Sequence, residues 1–590
     1  MTDTVWNNDR IWQATGNIFV DPGITLTIEP GTVVKFNAGR ALEVDGTLIA
    51  AGTPTQVIRF TSAATSPAAG DWAGIIFKDS SADAVLDSND NYLGGSILRY
   101  VMFEYSQRLQ LESAVPLIDS STFQFNNGAN SNGIVFLLQP KGQSFVFSNN
   151  QVNDNAGSSA LFIDEETYTP TVTITVRGNT FAGNDGIAIN TCCSSVPDGS
   201  LLFSHNRFLD NGRMAIRNYG MPAVIDANYF AGNNGSLLLN HTEVTVTHNL
   251  FTGNGCDDSV ASSAIGFHAP TGSGTPQISQ NTFIANNCSK TMYIQGASLA
   301  IHDNNFIPTE AAYDIYMSPG TANLDVSNNY WGTNDATAID ARIYDSQDDL
   351  NAGTVSYSPL LNQPVLAAPA FLLNATTSPN PVGIQQASFD LVFSAPMDQS
   401  ANPVVTFGPT QPYTSYAVLD NAQWLTGTVW RATYDFTSLV SRGAYSLSVS
   451  GASGLGGIEM PTDTRFGFTV DYAGQITDQS PPGKPPLFAT GVNGVPGTAQ
   501  GAWQAPGGSS PIIHYRYAIG TTAGSVDVVN WTLLNTTSVT RTGLGLVSGH
   551  HYRFSVQAQN QGGLWSLTSS NEFVAGVKKI VSLFLPLTRR

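Results

Sequence analysis

The sequence predicts an all-β chain: a parallel β-helix solenoid over residues 1–364, followed by two smaller β modules. Three observations carry that expectation. Helical periodicity is nearly absent, whereas Gly23-Ile-Thr-Leu-Thr-Ile28 and Thr171-Val-Thr-Ile-Thr-Val176 alternate with the period of two that half-buried strands show. Gly, Asn and Pro punctuate such segments every few residues. Between Phe123 and Trp331, finally, one hexad recurs, Asn-x-aromatic-x-x-Asn.

The hexad selects the architecture. It is complete at Asn150/Val152/Asn155, Asn179/Phe181/Asn184, Asn206/Phe208/Asn211, Asn228/Phe230/Asn233, Asn249/Phe251/Asn254 and Asn281/Phe283/Asn286. Partial copies stand at Phe123, Asn304/Phe306 and Asn329/Trp331. The apolar position moves from 123 to 331 in eight steps, a mean of about 26 residues, which is too short for a propeller blade. A run of hairpins would show two-residue turns instead of one recurring hexad. One solenoid turn of three short strands and three bends fits.

Coils of such a solenoid stack at about 4.8 Å, so an Asn at a bend can pass amide hydrogen bonds up and down a ladder. The expected ladder is Asn155, Asn184, Asn211, Asn233, Asn254 and Asn286. Asn also tolerates the left-handed backbone of a sharp bend. The Phe between the two Asn should point inward and stack on its counterpart in the next coil. Five residues after it stands Gly128, Gly157, Gly186 or Gly235, where the chain re-enters a strand.

Composition bounds the function. The 590 residues carry 25 Lys+Arg against 44 Asp+Glu, a net charge of −19. Charged residues are 12% of the chain, with 42% hydrophobic residues and 30 Phe, too apolar for disorder. Nucleic acid and acidic membrane surfaces both need a basic face, which this balance argues against. No apolar run reaches 18 residues, so membrane insertion is not expected. Met1-Thr-Asp-Thr-Val-Trp6 has neither the basic nor the apolar region of a signal peptide. The expectation is a mature extracellular, cell-surface chain.

The opening segments Gly16-Asn-Ile-Phe-Val20, Leu26-Thr-Ile-Glu-Pro-Gly-Thr-Val-Val-Lys-Phe36, Ala41–Ala50 and Trp72-Ala-Gly-Ile-Ile-Phe77, with the closing Asn328-Asn-Tyr-Trp-Gly332, resemble the right-handed parallel β-helix (pectate-lyase-like) proteins, in their secreted and surface branch. Lyases, hydrolases, epimerases and inert stalks share that fold, so the resemblance implies architecture more than activity. After the linker Leu366–Ala370, residues 371–473, with Phe393-Ser-Ala-Pro-Met-Asp398, Trp424 and Trp430, resemble bacterial Ig-like sandwiches. After a stiff second linker, Ser480-Pro-Pro-Gly-Lys-Pro-Pro486, residues 487–575 resemble a fibronectin type III domain through Trp503, Tyr515/Tyr517, Leu544 and Tyr552/Phe554/Val556. Both imply extracellular work.

Few residues suggest chemistry. Cys256 and Cys288 each lie five residues after the repeat Phe, one above the other at about 4.8 Å, which suits a disulfide. Cys192 and Cys193 pair with each other or stay free. The residue after the inward aliphatic of the strand following each bend reads Asp164, Asn190, Arg217, Asn240, His268, Gln295, Tyr316, an expected outward polar stripe able to face a glycan. It offers one carboxylate, where a glycosidase needs two and a calcium-dependent lyase several. No catalytic residue is assigned. Asp87, Asn89 and Asn91 begin like a calcium loop but Tyr92 stands where Gly is required, so the expectation is an exposed loop and no metal or cofactor, with calcium the one weak alternative.

Residues 576–590 carry an apolar run, Ile580, Val581, Leu583, Phe584, Leu585 and Leu587, long enough for one strand. Three readings are open: it folds back on its own module, serves as a short sorting signal at the cell surface, or completes a neighbour's sheet. The expected function is a non-catalytic surface structural or adhesion protein, with other surface proteins, glycans or copies of itself as partners and a filament or surface layer as the assembly. The alternative is a polysaccharide lyase or hydrolase with a β-helical catalytic domain.

Overall fold

The computed structural model describes residues 2–128, 133–138, 144–164, 173–192, 200–241, 243–254, 263–271, 274–286, 290–296, 298–308, 312–437, 439–472, 481–491, 497–507, 511–561 and 563–575. The chain divides into two compact units: Met1–Leu373 with Phe393–Ala401 and Gly451–Pro461, and Asn374–Val392 with Asn402–Ser450 and Thr462–Arg590.

In the first unit each coil lays one short strand into each of three parallel sheets. The first sheet runs from Thr4–Trp6 to Ala300–His302 in 12 strands, and the second from Ile11–Ala14 to Asn305–Phe306 in 12. The third runs from Ile18–Val20 to Ile343–Tyr344 in 13. Neighbouring strands within a sheet belong to successive coils. This is a right-handed parallel β-helix.

Inward columns explain why the repeat folds this way. In the second sheet Phe60, Phe103, Phe123, Val152, Phe181, Phe208, Phe230, Phe251, Phe283 and Phe306 stand in register, coil on coil. From Phe181 to Trp331 successive rings stack with centroids 4.8–5.3 Å apart. Each buried ring contributes roughly 1.5–3 kcal/mol by leaving water, and stacking adds about 0.5–1.5.

Two buried Asn ladders flank this column. Asn155 Nδ2 donates to Asn184 Oδ1 at 3.0 Å and to Phe123 O at 2.9 Å, while its backbone N–H donates to Asn184 Oδ1 at 3.2 Å. The pattern begins at Asn126 and continues through Asn211, Asn233 and Asn254 to Asn286. The first Asn of each hexad forms a second ladder, Asn150, Asn179, Asn206, Asn228, Asn249, Asn281, Asn304 and Asn329.

The left-handed backbone is not on the ladder Asn, as the sequence suggested, but on the residue before it. Asp154, Gly183 and Asp210 at one bend, and Asn149, His205, Ala227 and His248 at the other, have φ between 49° and 61°. The turn made there swings the following amide into the interior, so the ladder bonds offset the roughly 1–3 kcal/mol of each non-glycine left-handed residue. Among the re-entry glycines, a Cβ on Gly186 would come 2.3 Å from Gly157 O, so backbone meets backbone where these coils stack.

The solenoid opens on Trp6 stacked against Trp12 at 5.3 Å. Near its last coil, Asp335 caps the helix Ala336–Asp340 by accepting from the Thr337 N–H. Arg342 binds Asp314 Oδ2, Trp331 O and Phe306 O. Leu366–Ala370 packs onto the first unit rather than hanging free: Thr282 Oγ1 donates to Pro369 O, and Phe371 buries itself with Leu250, Ile284 and Ile307.

The second unit holds two antiparallel sandwiches. Leu372–Ser378, Gln386–Phe393, Val429–Asp435 and Asp420–Trp424 face Tyr416–Ala417, Val404–Gly408, Gly443–Ser450 and Gly467–Val470 across an aromatic core of Phe389, Phe407 and Phe468. In the next module a three-stranded sheet, Leu487–Gly491, Ala499–Trp503 and Ser538–Arg541, accompanies a four-stranded one built on Ile512–Gly520 and His551–Asn560. Trp503, Tyr515, Tyr517, Tyr552, Phe554 and Val556 form its core.

Candidate functional site: the outer face of the third sheet

Strand register decides which outward residues meet. Phe162 pairs with Asn190, Asn190 with Arg217, Arg217 with Leu238, Leu238 with Gly266, Gly266 with Tyr293, Tyr293 with Tyr316 and Tyr316 with Tyr344. Asp164 pairs instead with Cys192, and His268 with Gln295. The predicted single stripe is therefore two parallel rows, offset by two residues along the strands. Asn190, Arg217 and Tyr316 lie in one. Asp164, His268 and Gln295 lie in the other, with Asn240, two residues beyond Leu238, on the same face. Coils of unequal length caused the misalignment, because counting from each bend did not track the ladder. A shift of two keeps every side chain on the same face.

The first row has two different ends. Tyr293, Tyr316 and Tyr344 stack face to face at 5.5 and 4.4 Å, with the Lys290 ammonium 4.5 Å from the Tyr316 ring. Their ring faces are turned to one another, so this end presents edges and no open platform. Burial, with the neighbouring tyrosines, raises the Tyr316 phenol above its ordinary value. In the middle, Phe162, Asn190 and Leu238 are buried. Asn190 Nδ2 donates to Ser159 Oγ at 3.3 Å, but its Oδ1 and the adjacent Arg217 Nε are buried without a hydrogen-bond partner. The Arg217 guanidinium lies 4.2 Å from the Tyr219 ring centre.

Asp164 stands two coils from Arg217, about 9.6 Å along the solenoid axis, and in the other row. Among the described residues no three His, Cys, Asp or Glu side chains gather as a metal-binding group. Asp87 sits in a hairpin tip between Val85–Leu86 and Tyr92–Gly94. Its Oδ1 accepts from the Asn89 and Asn91 N–H groups and its Oδ2 from Asn91 Nδ2, which holds its carboxyl below the usual range. A cation there would have to displace those donors. Cys193, Cys256, Cys288 and the strand Ile580, Val581, Leu583, Phe584, Leu585, Leu587 lie outside the described residues. Cys192, at the end of its strand, is disulfide-bonded.

One feature went unread in the sequence. A cavity of about 480 Å³ in the first unit is lined by His205, Asp226, Ala227 and His248 at one solenoid bend, and by apolar residues of 366–370, 395–396 and 454–458. His205, Ala227 and His248 each hold a left-handed position of successive coils. The hexad spacing marks that column, since each precedes a ladder Asn.

No curated protein matches the chain. Structural likenesses include a crystal structure of chicken CNTN1 FN1–FN3 domains, at 12% identity and a TM-score of 0.15, covering 34% of this chain and 66% of that one. Another is the Clostridium thermocellum CbhA fibronectin(III)-like modules, at 14% identity and a TM-score of 0.14, covering 36% of this chain and 100% of that one. Residues 1–93 match the family described as a pectate-lyase like beta helix domain, and residues 168–331 the right handed beta helix region. Together with the three parallel sheets, these matches support the place of the first unit in the β-helix superfamily.

Proposed function

We propose that the chain is an extracellular surface protein with a structural or adhesive task, in which the β-helix is the scaffold and the outer third-sheet face the contact surface. The observation that carries this reading is the adjacent Asn190 Oδ1 and Arg217 Nε, one acceptor and one donor, both buried and unmet. Leaving such groups unsatisfied costs about 1–3 kcal/mol each, which a hydroxylated partner such as a glycan recovers when the two side chains turn outward to meet it. The pair supplies recognition without an acid–base couple, because Asp164 stands in the other row. The ladders supply stiffness independent of any ligand. Other surface proteins and further copies of the chain are the remaining partners in this reading, joined through the apolar segment 580–587 into a filament or layer.

The test is binding of the intact chain to glycans released from the source cell surface, alongside protease shaving of intact cells. Arg217→Ala and Asn190→Ala should each weaken glycan retention about tenfold. Retention unchanged in both variants, or a chain protected in the cytosol, sinks the reading. A second reading, a polysaccharide lyase or hydrolase, is favoured by the pectate-lyase like match of residues 1–93.

A further inference from the structure

The geometry points to a second binding site in the first unit, the cavity at His205, Asp226 and His248, whose ligand is a primary alkylammonium group. It is separate from the outer-face reading above. Its volume of about 480 Å³ falls in the range of small-molecule sites.

The polar floor is made of acceptors. Asp226 Oδ1 accepts from Thr247 Oγ1 at 2.8 Å and lies 2.8 Å from His248 Nδ1. An ionised carboxylate only accepts, so the proton of that contact sits on His248 Nδ1, and Nε2 is an acceptor whenever the ring carries that one proton. Asp226 Oδ2 remains, and His205 adds a further ring nitrogen. His205 and His248 are two coils apart, about 9.6 Å along the axis, with the small Ala227 between them. That leaves a slot.

The remaining wall is aliphatic, including Leu366, Pro369, Leu455 and Ile458. Among the described residues neither Lys nor Arg lines the cavity, so an anion would meet Asp226 with nothing there to pair it. Arg207 is engaged elsewhere, 3.7 Å from Glu459 and over the Tyr229 ring. An ammonium has three donors and no acceptor, which matches the floor, and its charge strengthens each bond to the carboxylate. An alkyl stem matches the wall. A free aliphatic amine and a lysyl side chain share this chemistry.

The experiment is calorimetric titration of the full chain with hexan-1-amine, hexan-1-ol and hexanoate at about pH 8, where an ordinary imidazole is neutral. The amine should bind with saturation, the alcohol at least about tenfold more weakly, and hexanoate not at all up to about 10 mM. Asp226→Asn puts an amide donor where the ammonium needs an acceptor, and should weaken the amine at least about tenfold. Leu366→Trp, at an exposed wall position, should block the cavity without touching the ladder and serves should the first variant fail to fold. A synthetic peptide of residues 576–590, with free or acetylated Lys578 and Lys579, separates the sources. Binding lost on acetylation assigns a lysyl ligand, whereas binding of hexan-1-amine alone assigns a free amine. Equal binding of amine and hexanoate, no saturable binding of the amine, or an amine affinity unchanged in both folded variants overturns the site.

Discussion

Asn228→Ala tests the ladder at its centre. The two N–H groups of Asn228 Nδ2 are shared among three acceptors, Phe203 O, Asp226 O and Asn249 Oδ1, and its Oδ1 accepts two bonds, from the Asn206 N–H and Asn206 Nδ2. Truncation does not orphan every partner. Asn206 Nδ2 keeps Val176 O, and Asn249 Oδ1 keeps the Asn228 N–H. The buried Asn206 N–H loses Asn228 Oδ1, at about 1–3 kcal/mol, and the other lost bonds add roughly 0.5–1.5 each, less the relief of no longer burying an amide. A net cost of about 3 kcal/mol follows. A chain of several modules has no single unfolding free energy, so the assay is native-state hydrogen exchange read over peptides spanning 200–254. Exchange there should accelerate about 150-fold, at 1.4 kcal/mol per tenfold. Asn362→Ala, at an exposed position, is the control and should change by less than about 0.5 kcal/mol. If Asn228→Ala matches the control, the ladder does not hold the coils together.

Arg342→Ala should strip the buried Asp314 of its partner and destabilise the closing coil by about 3–5 kcal/mol, seen as faster exchange over 313–317. Arg342→Met with Asp314→Asn should recover most of it. In the second unit, the Ser525 hydroxyl and the Thr521 N–H hold the Asp527 carboxyl down to about 2. Because the folded value is depressed, the stabilisation is present above the ordinary 3.8 and disappears as pH falls through about 2. Carbon-detected NMR titration should find that midpoint, and Ser525→Ala should move it upward. Deleting residues 577–590 should convert a concentration-dependent multimer to a monomer by light scattering. A full-length chain that is already monomeric at high concentration ends the filament idea.

The solenoid was legible because its core chemistry repeats in identity as well as polarity: Phe at one place, Asn on either side. Before Phe123 the same column holds Phe60 and Phe103 with no Asn beside them, so the early coils had to be read from strand alternation. The second ladder was present in every hexad but went unassigned, because nothing in the sequence says that two of a coil's three bends bury their amides. The left-handed positions were illegible for a different reason. His205, Asp210, Ala227 and His248 share no side-chain property, since the constraint is on the backbone. The outer face suffered most. Its rows depend on register, and coil insertions of varied length erase register from simple counting, which merged two rows into one and hid the Asn190–Arg217 pair.

The most direct test of the central claim, that the β-helix is a scaffold with a contact face and no active site, is turnover of polysaccharides. The intact chain is incubated with acidic and neutral polysaccharides, with and without calcium, while unsaturated uronide absorbance and reducing ends are followed. The scaffold account predicts release indistinguishable from a heat-denatured control. Sustained release that disappears in Arg217→Ala or Asp164→Asn would contradict it and place catalysis on the outer face of the third sheet.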